Sequence, residues 1–207
     1  MNPNLAEEHL QTIRTLMERS AVYRRALAPI MLVAGVMGLL AAAVGIGCHI
    51  QAARPFACLW LATAVIVVAA TFVLARRQAF KDNEPFWSPP TFRVGQALLP
   101  PLFCGLFVGV MLIFINSDVS LNMFAVLLWL LFYGCALHSA GFFMMRGIKW
   151  LGWIFIACAI GFALITYAEQ WSGGPLAPHW IMGIFFGGLH LAYGIYLYFT
   201  EKKTSAA

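Results

Sequence analysis

Two histidines lie in apolar, glycine-rich runs of the chain. His138 lies in the run GCALHSAG, residues 134–141, and His190 lies in the run GGLHLAYG, residues 187–194. At about 100° of rotation per helical residue, each histidine shares a helix face with glycines three or four positions away. Helices approach one another closely through such small residues. We therefore expect both imidazoles to face the protein interior rather than lipid.

Imidazoles buried in this way can serve three kinds of chemistry. Each can donate a hydrogen bond to a carbonyl or hydroxyl group of a neighbouring helix and so hold the helices together. They can instead line a small-molecule or proton site, because ionisable groups inside a membrane are candidates for function. The candidate residues of such a site are His138, His190, Tyr133, Tyr193 and Trp129. Finally, His138 and His190 can ligate a b-type haem from two facing helices. Zinc is disfavoured, since no cluster of carboxylates or cysteines is evident at these depths.

Membrane-spanning helices must position these residues. Of the 207 residues, 62% are hydrophobic and 10% are charged, whereas soluble domains have roughly 25% charged residues. Six apolar stretches can each cross a hydrocarbon core, which takes roughly 20 helical residues, and the alternating short segments of a membrane barrel are missing. The sequence predicts an all-α polytopic membrane protein, a compact bundle of six transmembrane helices in one domain, 26–199. The predicted spans are residues 26–50, 56–75, 94–115, 121–145, 150–168 and 180–199.

Basic residues predict the orientation of the bundle. If both termini are cytoplasmic, every one of the thirteen lysines and arginines except Arg54 lies on the cytoplasmic side. The positive-inside rule therefore predicts an N-in/C-in topology. Anionic lipid headgroups then account for the net charge of +5, and no nucleic-acid partner is needed. Residues 1–25 have apolar positions at helical spacing. They predict a short amphipathic helix on the cytoplasmic membrane face, or alternatively a solvated helix. Residues 200–207 are predicted to form a cytoplasmic tail.

Other polar residues are predicted at the outer end of the bundle. Glu169 closes the fifth predicted span, and His179 and His49 lie in or near the outer loops. These residues are candidates for an outer ligand vestibule. The alternative is a simple surface ion pair, which is worth at most about 1 kcal/mol.

Two of the five cysteines lie on either side of the first outer loop. An oxidising compartment could join Cys48 and Cys58 in a disulfide. The alternative is that both remain reduced, buried thiols.

Common catalytic signatures are missing from the sequence. There is no GxxxxGK[ST] phosphate loop, no GxSxG nucleophile elbow and no HExxH helix. No aspartate lies within a predicted span, which argues against an intramembrane aspartyl protease. The sequence thus favours a non-enzymatic role, although it does not decide the question.

Three segments carry a resemblance to a known family. They are MERSAVYRR at 17–25, FYGCALHSAGFFMMRGIKWLGW at 132–153 and GIFFGGLHLAYGI at 183–195. In this order, framing six spans, they resemble a family of uncharacterised bacterial six-helix integral inner-membrane proteins of similar length. The resemblance implies a bacterial origin and a multi-pass protein of the cytoplasmic (inner) membrane. Its members have no assigned activity, so it implies no catalytic residues.

The sequence as a whole predicts a non-enzymatic inner-membrane protein that acts as a small-ligand-binding, sensory or accessory subunit with a polar site inside the bundle. A haem-binding or other redox membrane protein is the first alternative, and a small transporter or channel is the second. The expected partners are the lipid bilayer and, through unused glycine seams, a second copy or another membrane subunit. The ligand, any cofactor and the oligomeric state stay open at this point.

Overall fold

The computed structural model describes residues 26–81, 83, 85–87, 89–114, 120–169, 174 and 176–205. Every regular element in these ranges is helical. The helices are α1 (Ala26–Gly47), α2 (Ala53–Lys81), α3 (Pro89–Phe114), α4 (Ser120–Ala140) and α5 (Arg146–Glu169). The last span consists of α6 (Ala177–Met182), a π-helical segment (Gly183–Leu189) and α7 (His190–Ser205). The predicted amphipathic helix at 1–25 lies outside the described residues.

Six helices of the described ranges are long and apolar enough to cross a membrane. The all-helical, six-span prediction is therefore confirmed at this level. Some helices continue past their predicted ends, because charged residues that were expected to end a span lie within the helix. For example, α2 continues through its basic residues to Lys81, and α7 continues to Ser205, beyond the predicted end at residue 199.

α1 packs against the last span through glycines. A methyl group added at Gly35 would lie 2.5 Å from the backbone nitrogen of Leu191, and one added at Gly38 would lie 2.6 Å from the carbonyl oxygen of Phe186. One added at Gly194 would lie 2.8 Å from the nitrogen of Leu32. Residue numbers rise along α1 as they fall along the last span, so the two are antiparallel. The seam predicted for the glycines around His190 is a close backbone contact with α1, to which α1 contributes Gly35 and Gly38.

α4 and α5 form a second close pair. A methyl group on Gly152 would lie 2.6 Å from the backbone nitrogen of His138 and 2.8 Å from the carbonyl oxygen of Gly134. One on Gly141 would lie 2.7 Å from the nitrogen of Lys149. The glycines on both sides of His138 thus face α5, as a small-residue seam should.

α4 is the central helix of the bundle. Half of its most apolar window is buried inside the protein, whereas only 11% is buried for α2 and for α3. Large apolar side chains on α2 and α3 are exposed, including Val65, Phe103 and Phe107. In a chain of this composition these faces are lipid-facing. Functional side chains are therefore expected around α4.

Candidate functional site

A hydrogen bond joins Tyr133 of α4 to His190 of α7. The Tyr133 hydroxyl oxygen lies 2.6 Å from Nε2 of His190, and Nδ1 of His190 lies 3.3 Å from the carbonyl oxygen of Phe185. A carbonyl oxygen can only accept, so Nδ1 carries the hydrogen and Nε2 accepts from the Tyr133 hydroxyl. With this assignment, two hydrogen bonds run in series from the Tyr133 hydroxyl through the His190 imidazole to the Phe185 carbonyl, and they connect two spans. We call Tyr133, His190 and the Phe185 carbonyl the His190 network.

Aromatic rings enclose the His190 network. His190 is 1% exposed. Its ring lies parallel to that of Phe186, 6.1 Å between centroids, and the edge of Phe155 lies 5.6 Å away. Phe155 also packs on Tyr133, with 5.1 Å between the ring centroids. The polar pair is therefore surrounded by apolar surface and shielded from water.

The π-helical segment presents the carbonyl that His190 uses. Phe185 lies five residues before His190, within the segment Gly183–Leu189. A π-helix closes its hydrogen bonds one residue later than an α-helix, and such turns are frequent at functional sites. The segment also packs closely on α1, since a methyl group on Gly187 would lie 2.9 Å from the nitrogen of Leu39. No pattern in the sequence distinguishes this segment from an ordinary glycine-containing helix.

A second network surrounds His179 of α6. Nε1 of Trp60 donates to Nδ1 of His179 at 3.2 Å, and Nε2 of His179 donates to the Ile50 carbonyl at 2.8 Å. The edge of Phe56 packs on the imidazole at 4.9 Å, and Phe56 stacks on Trp129 at 5.9 Å. We call these five residues the His179 network. His179 was predicted on the outer surface, but it is fully buried.

The turn between α1 and α2 completes this end of the bundle. The His49 nitrogen donates to the Ile46 carbonyl, and the Ile50 nitrogen donates to the Gly45 carbonyl. With His49 at φ 52°, this is the Schellman arrangement that ends a helix. Asn122 Nδ2 holds the same turn through the Gln51 carbonyl at 2.6 Å. His49, predicted as a ligand candidate, is exposed and occupies a turn position.

His138 does not join His190. Its ring contacts Phe142 and Trp153 at 5.3 and 5.1 Å, whereas His190 contacts Phe155. Trp153 and Phe155 lie about 160° apart around α5, so the two histidines meet different faces of that helix. Trp153 is 49% exposed. His190 is almost fully buried, whereas His138 is only partly buried beside the exposed Trp153 ring, although its Nδ1 atom is enclosed.

This geometry does not fit the haem alternative. Two axial imidazoles must face each other across the ring, and His138 and His190 instead lie against different faces of α5. In addition, Nε2 of His190 is already bonded to Tyr133. No group of three or more His, Cys, Asp or Glu side chains that could hold a metal ion is found among the described residues.

The remaining candidates lie outside the His190 network. Trp129 donates to the Gly105 carbonyl at 2.8 Å and belongs to the His179 network. Tyr193 stacks on Tyr196 at 6.3 Å. Glu169 is the last residue of α5, and its side chain lies outside the described part of the chain. Of the five residues predicted to share one site, only Tyr133 and His190 are brought into hydrogen-bond contact.

The predicted disulfide is not formed. Cys48 and Cys58 are both free and exposed thiols. α2 begins at Ala53, so Cys58 lies in its second turn. The buried residues Phe56 and Trp60 lie about 160° from Cys58 around the helix. Cys58 therefore points away from the buried face of α2.

Sequence reasoning missed several residues that belong to the two networks or lie close to them. Trp60, Phe56 and Phe155 are aromatic residues in apolar runs, and nothing in their spacing separates a network residue from a lipid-facing one. Asn122 is 1% exposed. It is the only asparagine within the six described spans, so its position in an apolar run could have marked it as a buried polar residue. Polar residues at such positions are expected to have partners.

The fold and these contacts define a multi-pass helical membrane protein with two buried histidine networks. Comparison of the chain with models of known protein families, with curated proteins and with solved structures found no match.

Proposed function

We propose that this chain is a non-enzymatic, small-ligand-binding, sensory or accessory subunit of the bacterial cytoplasmic membrane, and that the His190 network is its intramembrane site. The resemblance of the segments at 17–25, 132–153 and 183–195 supports the bacterial inner membrane. The distribution of basic residues supports the N-in/C-in orientation.

One observation carries the proposed site: the buried hydrogen bond between Tyr133 and His190 beside a π-helical segment. Its two partners lie on different spans. A ligand that offers its own donor to Nε2 of His190 would replace the Tyr133 hydroxyl and release α4 from α7. Binding would thereby change the contact between two helices, which is what a sensory or accessory subunit needs.

The surroundings limit the class of ligand. Phe155 and Phe186 flank the imidazole, so the body of the ligand must be apolar or aromatic. A single hydroxyl or amide N–H would satisfy Nε2. We therefore propose a small, largely apolar molecule with one hydrogen-bond donor. Binding between α4, α5 and α7 also leaves the outer faces of α2 and α3 for lipid, a second copy or another membrane subunit.

The test is to purify the full chain in mild detergent and to record its absorbance spectrum and the mass of any bound molecule. We expect a small molecule to co-purify with the native protein and to be lost from the His190→Leu variant, which removes the Nε2 acceptor. His138→Leu is the matched control, since it removes the other glycine-flanked imidazole without touching the His190 network.

Three results would contradict the proposal: no bound molecule in the native protein, equal loss from both variants, or catalytic turnover by the purified chain. A Soret band would favour the haem alternative instead. Solute flux in liposomes that depends on His190 would favour a transporter. Reporter fusions at the two termini test the orientation, and a periplasmic signal at either end would refute it.

A further inference from the structure

A groove of about 350 Å³ lies where α2 ends and the chain turns towards α3. Its walls include the rings of Phe72, Phe80, Phe86 and Trp87 and the side chain of Arg76. Phe72 and Phe86 meet edge to face at 4.8 Å, and Phe86 and Trp87 at 5.1 Å. The turn after α2 is thus folded back onto the helix by aromatic contacts. We call this feature the α2–α3 groove.

Arg76 provides the cationic group of the groove. Its guanidinium carbon lies 5.5 Å from the centre of the Phe80 ring, one helical turn further on. A guanidinium carries five N–H donors in a planar fork. These donors match the oxygens of a phosphate, which they can bind in pairs.

The α2–α3 groove lies at the depth of lipid headgroups. Ala53 begins α2, and Phe72 lies about 29 Å further along at 1.5 Å per residue. The hydrocarbon core is about 30 Å thick, so α2 leaves it near Phe72, and Arg76 lies one turn beyond. The Phe72 ring, and the Phe86 and Trp87 rings packed on it, therefore lie at the level of the upper acyl chains and glycerol, while the guanidinium lies at the level of the phosphate.

The charge around the groove favours an anionic lipid over a zwitterionic one. Residues 76–93 carry four basic and two acidic side chains, a net charge of +2. Trp87 and Phe80 are 68% and 69% exposed, although both line the groove. Exposed rings around a cavity leave apolar surface that an acyl chain can cover.

We propose that the α2–α3 groove binds one anionic phospholipid, with its phosphate on Arg76 and its upper acyl chain along Phe72, Phe86 and Trp87. This site is separate from the His190 network and does not depend on the function proposed for it. Basic pockets at the ends of membrane helices are suited to such headgroups.

The experiment is a native mass-spectrometry titration of the delipidated full chain. The probes are phosphatidylglycerol, phosphatidylcholine with the same acyl chains, and inorganic phosphate. We expect phosphatidylglycerol to bind preferentially, with one tight site. Arg76→Gln should weaken that site about tenfold, because a charge-assisted hydrogen bond is lost. Arg76→Lys should restore only part of the affinity, since the planar fork is gone.

Arg77→Gln is the matched control. It removes the same charge from the next position of α2, about 100° around the helix and outside the groove lining. It should change the affinity less than about threefold. Phe86→Ala should weaken both lipids, whereas Phe103→Ala, an exposed ring on α3, should weaken neither. Circular dichroism of each variant checks that the helices are retained.

Three outcomes would overturn the proposal. Equal effects of Arg76→Gln and Arg77→Gln would mean that the lipid is attracted by the overall positive charge and not bound by Arg76. Equal affinity for the two lipids would mean that the headgroup is not recognised. Displacement of phosphatidylglycerol by millimolar inorganic phosphate, with no effect of Phe86→Ala, would mean that the groove binds small anions rather than lipid. Loss of the His190 ligand alone would leave the groove proposal intact.

Discussion

Trp60 donates its indole N–H to Nδ1 of His179 at 3.2 Å, although 119 residues separate them in sequence. The other imidazole nitrogen of His179 donates to the Ile50 carbonyl in the α1–α2 turn. One buried side chain therefore connects α2, the last span and the turn between the first two helices. The same end of α1 is close by, because a methyl group on Gly45 would collide with the His179 ring.

Replacing His179 with alanine should destabilise the bundle by about 2–4 kcal/mol. The change leaves the Trp60 N–H and the Ile50 carbonyl without their partner and opens a cavity. Unfolding in detergent, followed by circular dichroism during SDS titration, measures the loss. His49→Ala is the control, since His49 is exposed, and it should stay within about 0.5 kcal/mol. Similar losses in both variants would refute the central position assigned to His179.

The two glycine-flanked histidines should respond differently to leucine. His190→Leu leaves the Tyr133 hydroxyl and the Phe185 carbonyl unpaired, and should cost about 1–3 kcal/mol. His138→Leu removes a buried Nδ1 atom that has no hydrogen-bond partner among the described residues, and should be neutral or stabilising.

A double-mutant cycle between Tyr133→Phe and His190→Leu checks the origin of the His190 effect. The two changes should cost less together than the sum of the single variants, because both remove the same hydrogen bond. Strict additivity would mean that the two side chains do not interact.

The α1 seam predicts a position-dependent effect of glycine-to-alanine changes. Gly38→Ala places a methyl group 2.6 Å from the Phe186 carbonyl oxygen and should cost about 1–3 kcal/mol. Gly161→Ala in α5 has nothing within 4 Å and should be neutral or stabilising by up to about 1 kcal/mol. Thermal unfolding of the two variants in one detergent distinguishes them. An unaffected Gly38→Ala protein would show that α1 does not pack here.

His49 should tolerate glycine better than valine. Its φ of 52° is a left-handed conformation that glycine adopts freely and that β-branched side chains avoid. We expect His49→Gly to match or exceed the native stability, and His49→Val to lose about 1–3 kcal/mol. The same unfolding assay measures both, and a stable His49→Val protein would contradict the described turn.

Apolar length and glycine spacing were enough to predict much of the architecture. Runs of about 20 apolar residues mark spans whatever their neighbours are. The glycines beside His138 and His190 mark seams because helix backbones meet there. Tyr133 and His190 were both predicted, since polar atoms at these depths need partners. Their hydrogen bond satisfies that requirement.

The sequence alone could not show which candidate residues share a site, because that depends on which helices pack against one another. Trp129 and Tyr133 are four residues apart on α4, about 40° around the helix, yet they serve different networks because different spans pack beside them. His179 looked like a surface residue because it follows a polar loop. It is buried because α6 begins at Ala177, before the predicted span.

The π-helical segment determines the directions of the two buried histidines in the last span. In an unbroken α-helix His179 and His190, eleven positions apart, would point within about 20° of each other. The wider turns at Gly183–Leu189 alter the helical phase between them. His179 accordingly meets α2, and His190 meets α4 and α5. The number of residues in this stretch, and not only their identity, thus selects the neighbours of each ring, so deletion of one residue there would misalign one network while sparing the other.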